Sequence, residues 1–171
     1  EIYLQRLGML EDPFERFDLL MQVARIFLDE LHDPARGMQA YGAALRERPD
    51  EEHTLAEIER LAEETHNWGS AAEYLIDALE SGENTDDSLL GLWLRLARIL
   101  ESRLGQSEDA ENAYRQALEI DPAHEESLQA LDRIYLSLVR WPELASILAR
   151  RIESTYDEFE VVELTYRLAQ I

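Results

Sequence analysis

The sequence contains no cysteine. That removes disulfides, thiol nucleophiles and cysteine-ligated zinc together, and it leaves the compartment open. It contains no lysine either, so all 16 basic residues are arginine. An absence spread over the whole chain reads as genome composition. Its physical consequence is that every cation here is a planar, permanently charged fork. No apolar run approaches the roughly 20 residues that span a bilayer. Positive charge is scarce: 37 acids against 16 bases leave a formal net charge of −21. Most of such a surface repels a phosphate backbone or an anionic headgroup, so neither nucleic acid nor membrane insertion is expected.

Signatures of catalysis are missing as well. There is no GxGxxG, no GxxxxGK(S/T), no GxSxG, no HExxH and no EF-hand loop, so no enzymatic activity and no cofactor are expected. The histidines are His32, His53, His66 and His124, none three or four residues from another, and no metal site is expected from them. Acid clusters such as Asp50-Glu51-Glu52 and Asp157-Glu158 fall near expected helix starts, where they complement the macrodipole.

What is present is a repeat. Apolar residues make up 46% of 171 positions, enough for a real core. Sliding the chain by 73 residues superposes Trp68 on Trp141, Ala24-Arg25-Ile26 on Ala97-Arg98-Ile99, Ala40-Tyr41 on Ala113-Tyr114, and Pro49 on Pro122. About seventeen identities fall within about sixty positions, far above chance. Copies are expected at about 12–83 and 84–156, with partial copies at 1–11 and 157–171.

Apolar residues recur at three- and four-residue steps, and nothing alternates like a strand. The spacing predicts helices near 14–32, 34–48, 51–66, 70–81, 87–104, 107–120, 123–139, 142–154 and 157–171, with a partial one at 2–10. Ser70 with Glu73 reads as a capping box. Pro34 and Pro142 suit a first helical position, and Pro49 and Pro122 follow helices that they stop.

Within each copy the first helix pair resembles a tetratricopeptide repeat, in a bacterial-type array with a double-hairpin period of about 73 residues. The motif residues are Trp93, Leu96, Ala97, Leu100, Ala110, Tyr114, Ala117 and Pro122 in one copy. In the other they are Leu20, Val23, Ala24, Phe27, Gly37, Tyr41, Ala44 and Pro49. The loop within these pairs is one residue longer than the family's. The second pairs are degenerate: Glu59 and Asp132 stand where a small residue is expected. The resemblance implies an all-α, right-handed solenoid of antiparallel hairpins, forming one domain. Because the chain opens on Glu1 and stops in mid-motif at Ile171, it is expected to be an interior piece of a longer array.

The resemblance also implies function. In such arrays the residue after the small position of each first helix commonly faces the concave groove. Here that residue is Arg25, Arg60, Arg98 and Arg133, and by the same geometry Met21, Leu28, Leu94 and Leu136 join them. A groove of arginines and apolar side chains suits a peptide or helix of a partner protein with acidic and apolar side chains. The competing structural reading pairs Arg25 with Asp29 and Arg60 with Glu64, while Arg98 and Arg133 have serine four residues on. The expected function is a non-catalytic scaffold or adaptor. The alternatives are a self-assembling segment stacking through its ends, or a regulatory domain of a larger enzyme. Trp68 and Trp141 are expected to fill corners between helices.

Overall fold

The computed structural model describes residues 7–81 and 84–171. Its described residues contain α1 (Pro13–Asp29), α2 (Pro34–Glu47), α3 (Glu52–Thr65), α4 (Trp68–Leu79), α5 (Asp86–Ile99), α6 (Ser107–Ile120), α7 (Glu125–Ser137), α8 (Trp141–Ser154) and α9 (Glu158–Leu168). There is no strand among them. This is the expected all-α, helical-repeat solenoid class, and helix boundaries fall within a few residues of the periodicity. Most of the helix expected at 2–10 lies outside the described residues.

Local chemistry starts the helices. Asp12, Asp33 and Asp157 accept hydrogen bonds from the first-turn amides of Phe14, Arg36 and Phe159, satisfying donors that the helix itself leaves open. Pro13 and Pro34 occupy first-turn positions where a missing N–H costs nothing. One start differs from expectation. Helix α4 begins at Trp68, not Ser70, because the Asn67 side chain takes the Ser70 amide at 3.3 Å. Likewise α8 begins at Trp141, placing Pro142 second.

The ends of the first helices repeat as the sequence does. His32, His66, Gly105 and Val139 all have positive φ, between 49° and 65°, and each closes the first helix of a hairpin. His32 lies one repeat from Gly105, and His66 one repeat from Val139. After α3 and α7 the closing bonds are Asn67 N–H to Ala62 C=O and Arg140 N–H to Tyr135 C=O, the usual six-residue closure. After α1 and α5 they span one residue more: Asp33 N–H to Phe27 C=O, and Gln106 N–H to Leu100 C=O. Residues Leu100–Leu104 form a π turn continuing α5. The extra loop residue is thus absorbed by widening the last turn.

The chain divides into two compact units, with the boundary inside α5 rather than in the polar loop after residue 81. One unit runs through Leu92 and includes Ser102–Leu104; the other is Trp93–Glu101 with Gly105–Ile171. In the first, α2 packs on α1, α3 and α4. Ala24, Ala44, Ala62, Ala71 and Ala78 have no exposed surface, so backbones approach closely around Met38, Leu45, Ile58, Leu61 and Leu75. In the second, α7 packs on α6 and α8, and α9 on α8, around Tyr114, Leu128, Leu131, Leu144, Leu148 and Leu164. Two acids are buried there. Asp132, in the position where a small residue was expected, is 4% exposed. It receives Arg151 and, through both oxygens, Arg167 at 2.6 and 2.9 Å. Glu111 accepts from the Tyr135 hydroxyl at 3.0 Å and from Arg140.

Candidate partner-binding surface

All four predicted arginines are exposed, yet their surroundings differ. Arg60 donates to Glu57 at 2.9 Å and to Glu64 at 3.0 Å, within its own helix. Arg98 and Arg133, with serine four residues on, reach across to another helix segment. Arg98 grips Glu126 of α7 with two guanidinium nitrogens. The contact holds the Glu126 carboxyl below the ordinary glutamate range, against the opposing effect of burial. Arg133 meets Glu101 at 3.3 Å. Glu101 also accepts from the Tyr114 hydroxyl at 2.9 Å, and burial together with that acceptor pushes the Tyr114 phenol well above its usual value.

Arg25 is the exception. The expected pair with Asp29 does not form, and among the described residues Arg25 makes no ion pair. The repeat register explains why. The carboxylates that engage Arg98 and Arg133 are Glu126 and Glu101; one repeat earlier, the same positions hold His53 and Leu28. Leu28 lies against Gly37, where an added Cβ would stand 2.6 Å from its Cδ2. The His53 ring lies edge-on to Tyr41, with centroids 6.4 Å apart. Burial raises the Tyr41 phenol's pKa, Glu57 and Asp29 add to the rise, and the nearby Arg25 and Arg60 oppose it. The first copy thus sets His53 beside Tyr41 and has no counterpart of Glu126 to engage Arg25.

The predicted apolar companions also divide. Leu136 is half exposed, Met21 and Leu28 are partly buried, and Leu94 is buried at 8%. The tryptophans are not equivalent either. Trp68 is partly buried beneath the Arg103 guanidinium, 4.7 Å from its ring centroid, and Arg103 in turn lies 3.3 Å from Glu63. Trp141 is 45% exposed, too open to fill a corner.

Sequence reading missed the cross-helix partners Glu101 and Glu126, since they lie 32 and 28 residues from their arginines. The register held the signal, because those two positions change character between copies. It also missed a cavity of about 330 Å³ in the second unit, among α6, α7 and α8. Arg133 is two residues from Tyr135, roughly 200° around α7 at 3.6 residues per turn, so the cavity and the arginine row occupy different faces of that helix. Among the described residues no helix is long and apolar enough to cross a membrane.

Residues 90–124 match the tetratricopeptide repeat family profile, the segment that carries the fullest motif. No curated protein matches the chain. Among solved structures, the chain is similar to a tetratricopeptide repeat protein from Parabacteroides merdae ATCC 43184, with 19% identity and a TM-score of 0.54, over 89% of this chain and 58% of that one. It is also similar to MamA, with 14% identity and a TM-score of 0.51, over 89% of this chain and 84% of that one. At these identities the likeness speaks for the fold alone, and the chain spans 58% of the first structure's length. With the 73-residue register and the hairpins that follow it, the described residues form an all-α array of helix hairpins with a tetratricopeptide-like fold, and residues 90–124 are the segment that matches the tetratricopeptide repeat family itself.

Proposed function

We propose that the protein is a non-catalytic scaffold that holds a peptide or helix of a partner protein against the first-helix faces of its hairpins. Stacked hairpins form a surface without ordering on contact, so little conformational entropy is lost when a partner binds. The observation that carries the reading is the contrast between Arg25 and Arg98. Equivalent in the repeat, Arg98 is engaged by the protein's own Glu126, while at the position equivalent to Glu126 the first copy has His53. An acidic side chain of a partner supplies at Arg25 what Glu126 supplies at Arg98, and Met21 and Leu28 add apolar contact. A guanidinium–carboxylate fork is specific in geometry as well as charge.

The test is capture of partners from the native source by wild type, R25E and R98E/R133E. Loss with R25E and retention with R98E/R133E is the expected pattern, since the latter pair is satisfied internally. Equal capture by all three, with unchanged helical circular dichroism, overturns the reading.

A second reading, association with another copy of this chain, is favoured by α9. Its Phe159, Val162 and Tyr166 are 89%, 69% and 66% exposed at three- and four-residue steps. An apolar stripe of this kind marks a contact surface. Sedimentation across a hundredfold concentration range decides it: a constant monomer mass, unaffected by V162E, removes this reading.

A further inference from the structure

The two copies differ at one packing site in a way that leaves a template. In the first unit, α2 carries Gly42 and α4 carries Tyr74. A Cβ added at Gly42 would fall 2.5–2.9 Å from Tyr74 ring atoms, so the ring fills the space left by the missing side chain. Burial there raises the phenol's pKa. One repeat on, Gly42 is replaced by Arg115 and Tyr74 by Ile147. The Tyr74 ring has no counterpart at Ile147, and a cavity of about 330 Å³, lined in part by Tyr135, opens at this site.

Leu118, Leu131 and Ile147, at most 5% exposed, contribute its apolar part, and most of the lining is polar. Three arginines stand around it, and they are unequally committed. Arg140 is held by Glu111 and Glu143. Arg150 donates to the Pro122 carbonyl at 2.9 Å and has no carboxylate partner among the described residues. Arg115 is 61% exposed, and its ion-pair contact, Glu111, is 3.9 Å away. Two guanidiniums with spare donors therefore line a cavity at the register position where the first copy sets the Tyr74 ring against Gly42. Of the acids lining the cavity, Glu143 is occupied by Arg140, and Glu119 makes no ion pair among the described residues.

We infer that this cavity binds an aromatic ring carrying an anionic head, an aryl carboxylate or aryl phosphate. The ring takes the place that Tyr74 fills in the first copy, and the head lies between Arg115 and Arg150. Guanidiniums suit both parts, since they stack on rings and fork onto carboxylates or phosphates. A neutral ring gains only burial, and an inorganic anion gains only the fork. Glu119 opposes the anion and sets an upper limit on affinity. The site is independent of the Arg25 reading, because it lies on another unit and uses none of the same residues.

The experiment is an amide NMR titration of the whole chain with phenyl phosphate and benzoate, using phenol and inorganic phosphate as controls. Phenyl phosphate is expected to bind about tenfold tighter than either control, the scale of one charge-assisted hydrogen bond, with shifts at Arg115, Tyr135, Ile147 and Arg150. R115G/I147Y, which rebuilds the first copy's plug, abolishes binding, and E119Q tightens it. If R115G/I147Y does not fold, R115Q/R150Q removes the guanidiniums alone, and phenyl phosphate should then bind no better than phenol. A phosphotyrosine peptide that binds tighter than phenyl phosphate assigns the ring to a protein chain, and equal affinity assigns it to a small molecule; both uphold the site. Phenyl phosphate binding no tighter than inorganic phosphate, or binding unchanged in R115G/I147Y and R115Q/R150Q, overturns it.

Discussion

The ring of Tyr74 occupies the space where Gly42 has no side chain, so closely that a Cβ on Gly42 would stand 2.5 Å from the ring's Cγ. In most helices glycine to alanine is favourable by about 1 kcal/mol. Here the new methyl meets the root of a ring, which cannot swing away without leaving its site. G42A is expected to lower stability by about 1–3 kcal/mol, as overpacking does. Urea denaturation checks it, and the added substitution Y74A should erase the G42A penalty.

Val139 holds φ at 57°, a conformation costly to a β-branched residue. V139G is expected to raise stability by about 1 kcal/mol, the scale of the left-handed penalty. G105A is the reverse case. Nothing lies within 4 Å of an added Cβ at Gly105, whose φ is 65°, so any loss of stability reports backbone strain alone. Melting temperatures of the two variants should move in opposite directions.

Removing the Asp132 carboxylate takes from Arg167 its ion-pair partner and leaves Arg151 with Glu160 alone, in a partly buried site with arginine side-chain exposures of 32% and 14%. D132A is expected to cost about 3–5 kcal/mol, typical when one member of a buried charge cluster is deleted. E59A, at the same position of the first copy, should cost less, since Glu59 is partly exposed where Asp132 is buried. Paired denaturant titrations compare them. Equal costs would show that the Arg151 and Arg167 contacts add nothing to what Asp132 contributes.

The Glu126 carboxyl is held down chiefly by its hydrogen bond to Arg98. A depressed carboxylate contributes stability that is fully present above the ordinary glutamate range and is lost as pH falls through the lower, folded-state value. Carbon-detected NMR should show Glu126 titrating below the ordinary glutamate range. In R98A it should return to the ordinary range, and the acid side of the stability profile should flatten. An unchanged Glu126 titration in R98A would dissolve the pair.

Tyr135 titrates late for two reasons. Burial, then its hydrogen bond to Glu111, push the phenol up to about 12. The contribution runs opposite to that of Glu126: it is fully present below the ordinary tyrosine range and is lost as pH rises through the folded-state value. Ultraviolet titration of E111Q should bring the phenol down toward its usual range, by only the part that burial does not supply.

Much of the fold was legible because it rests on local and periodic signals. Helix spacing, first-turn prolines and aspartates act within a few residues, and the repeat multiplied them. The failures were equally physical. Ser70 with Glu73 looks like a cap, but Asn67 lies three residues before the Ser70 amide and takes it. Trp68 and Trp141 align, yet the Arg103 guanidinium covers the first, while the second is 45% exposed. The arginine row was legible as positions and illegible as chemistry. Whether an arginine is available depends on Glu101 or Glu126, side chains about thirty residues away that no local pattern ties to it.

By itself the sequence determined the helices and the 73-residue register, because both depend on spacing along one chain. Tertiary structure decided which equivalent positions remain equivalent. Gly42 and Arg115 share a register but not a neighbour, since one meets the Tyr74 ring and the other opens on a cavity. Arg25 and Arg98 share a register but not a counter-charge. Packing and ion pairing fall off within a few ångströms, so they are set by which side chains the fold brings together, and a repeat in sequence carries no guarantee of that.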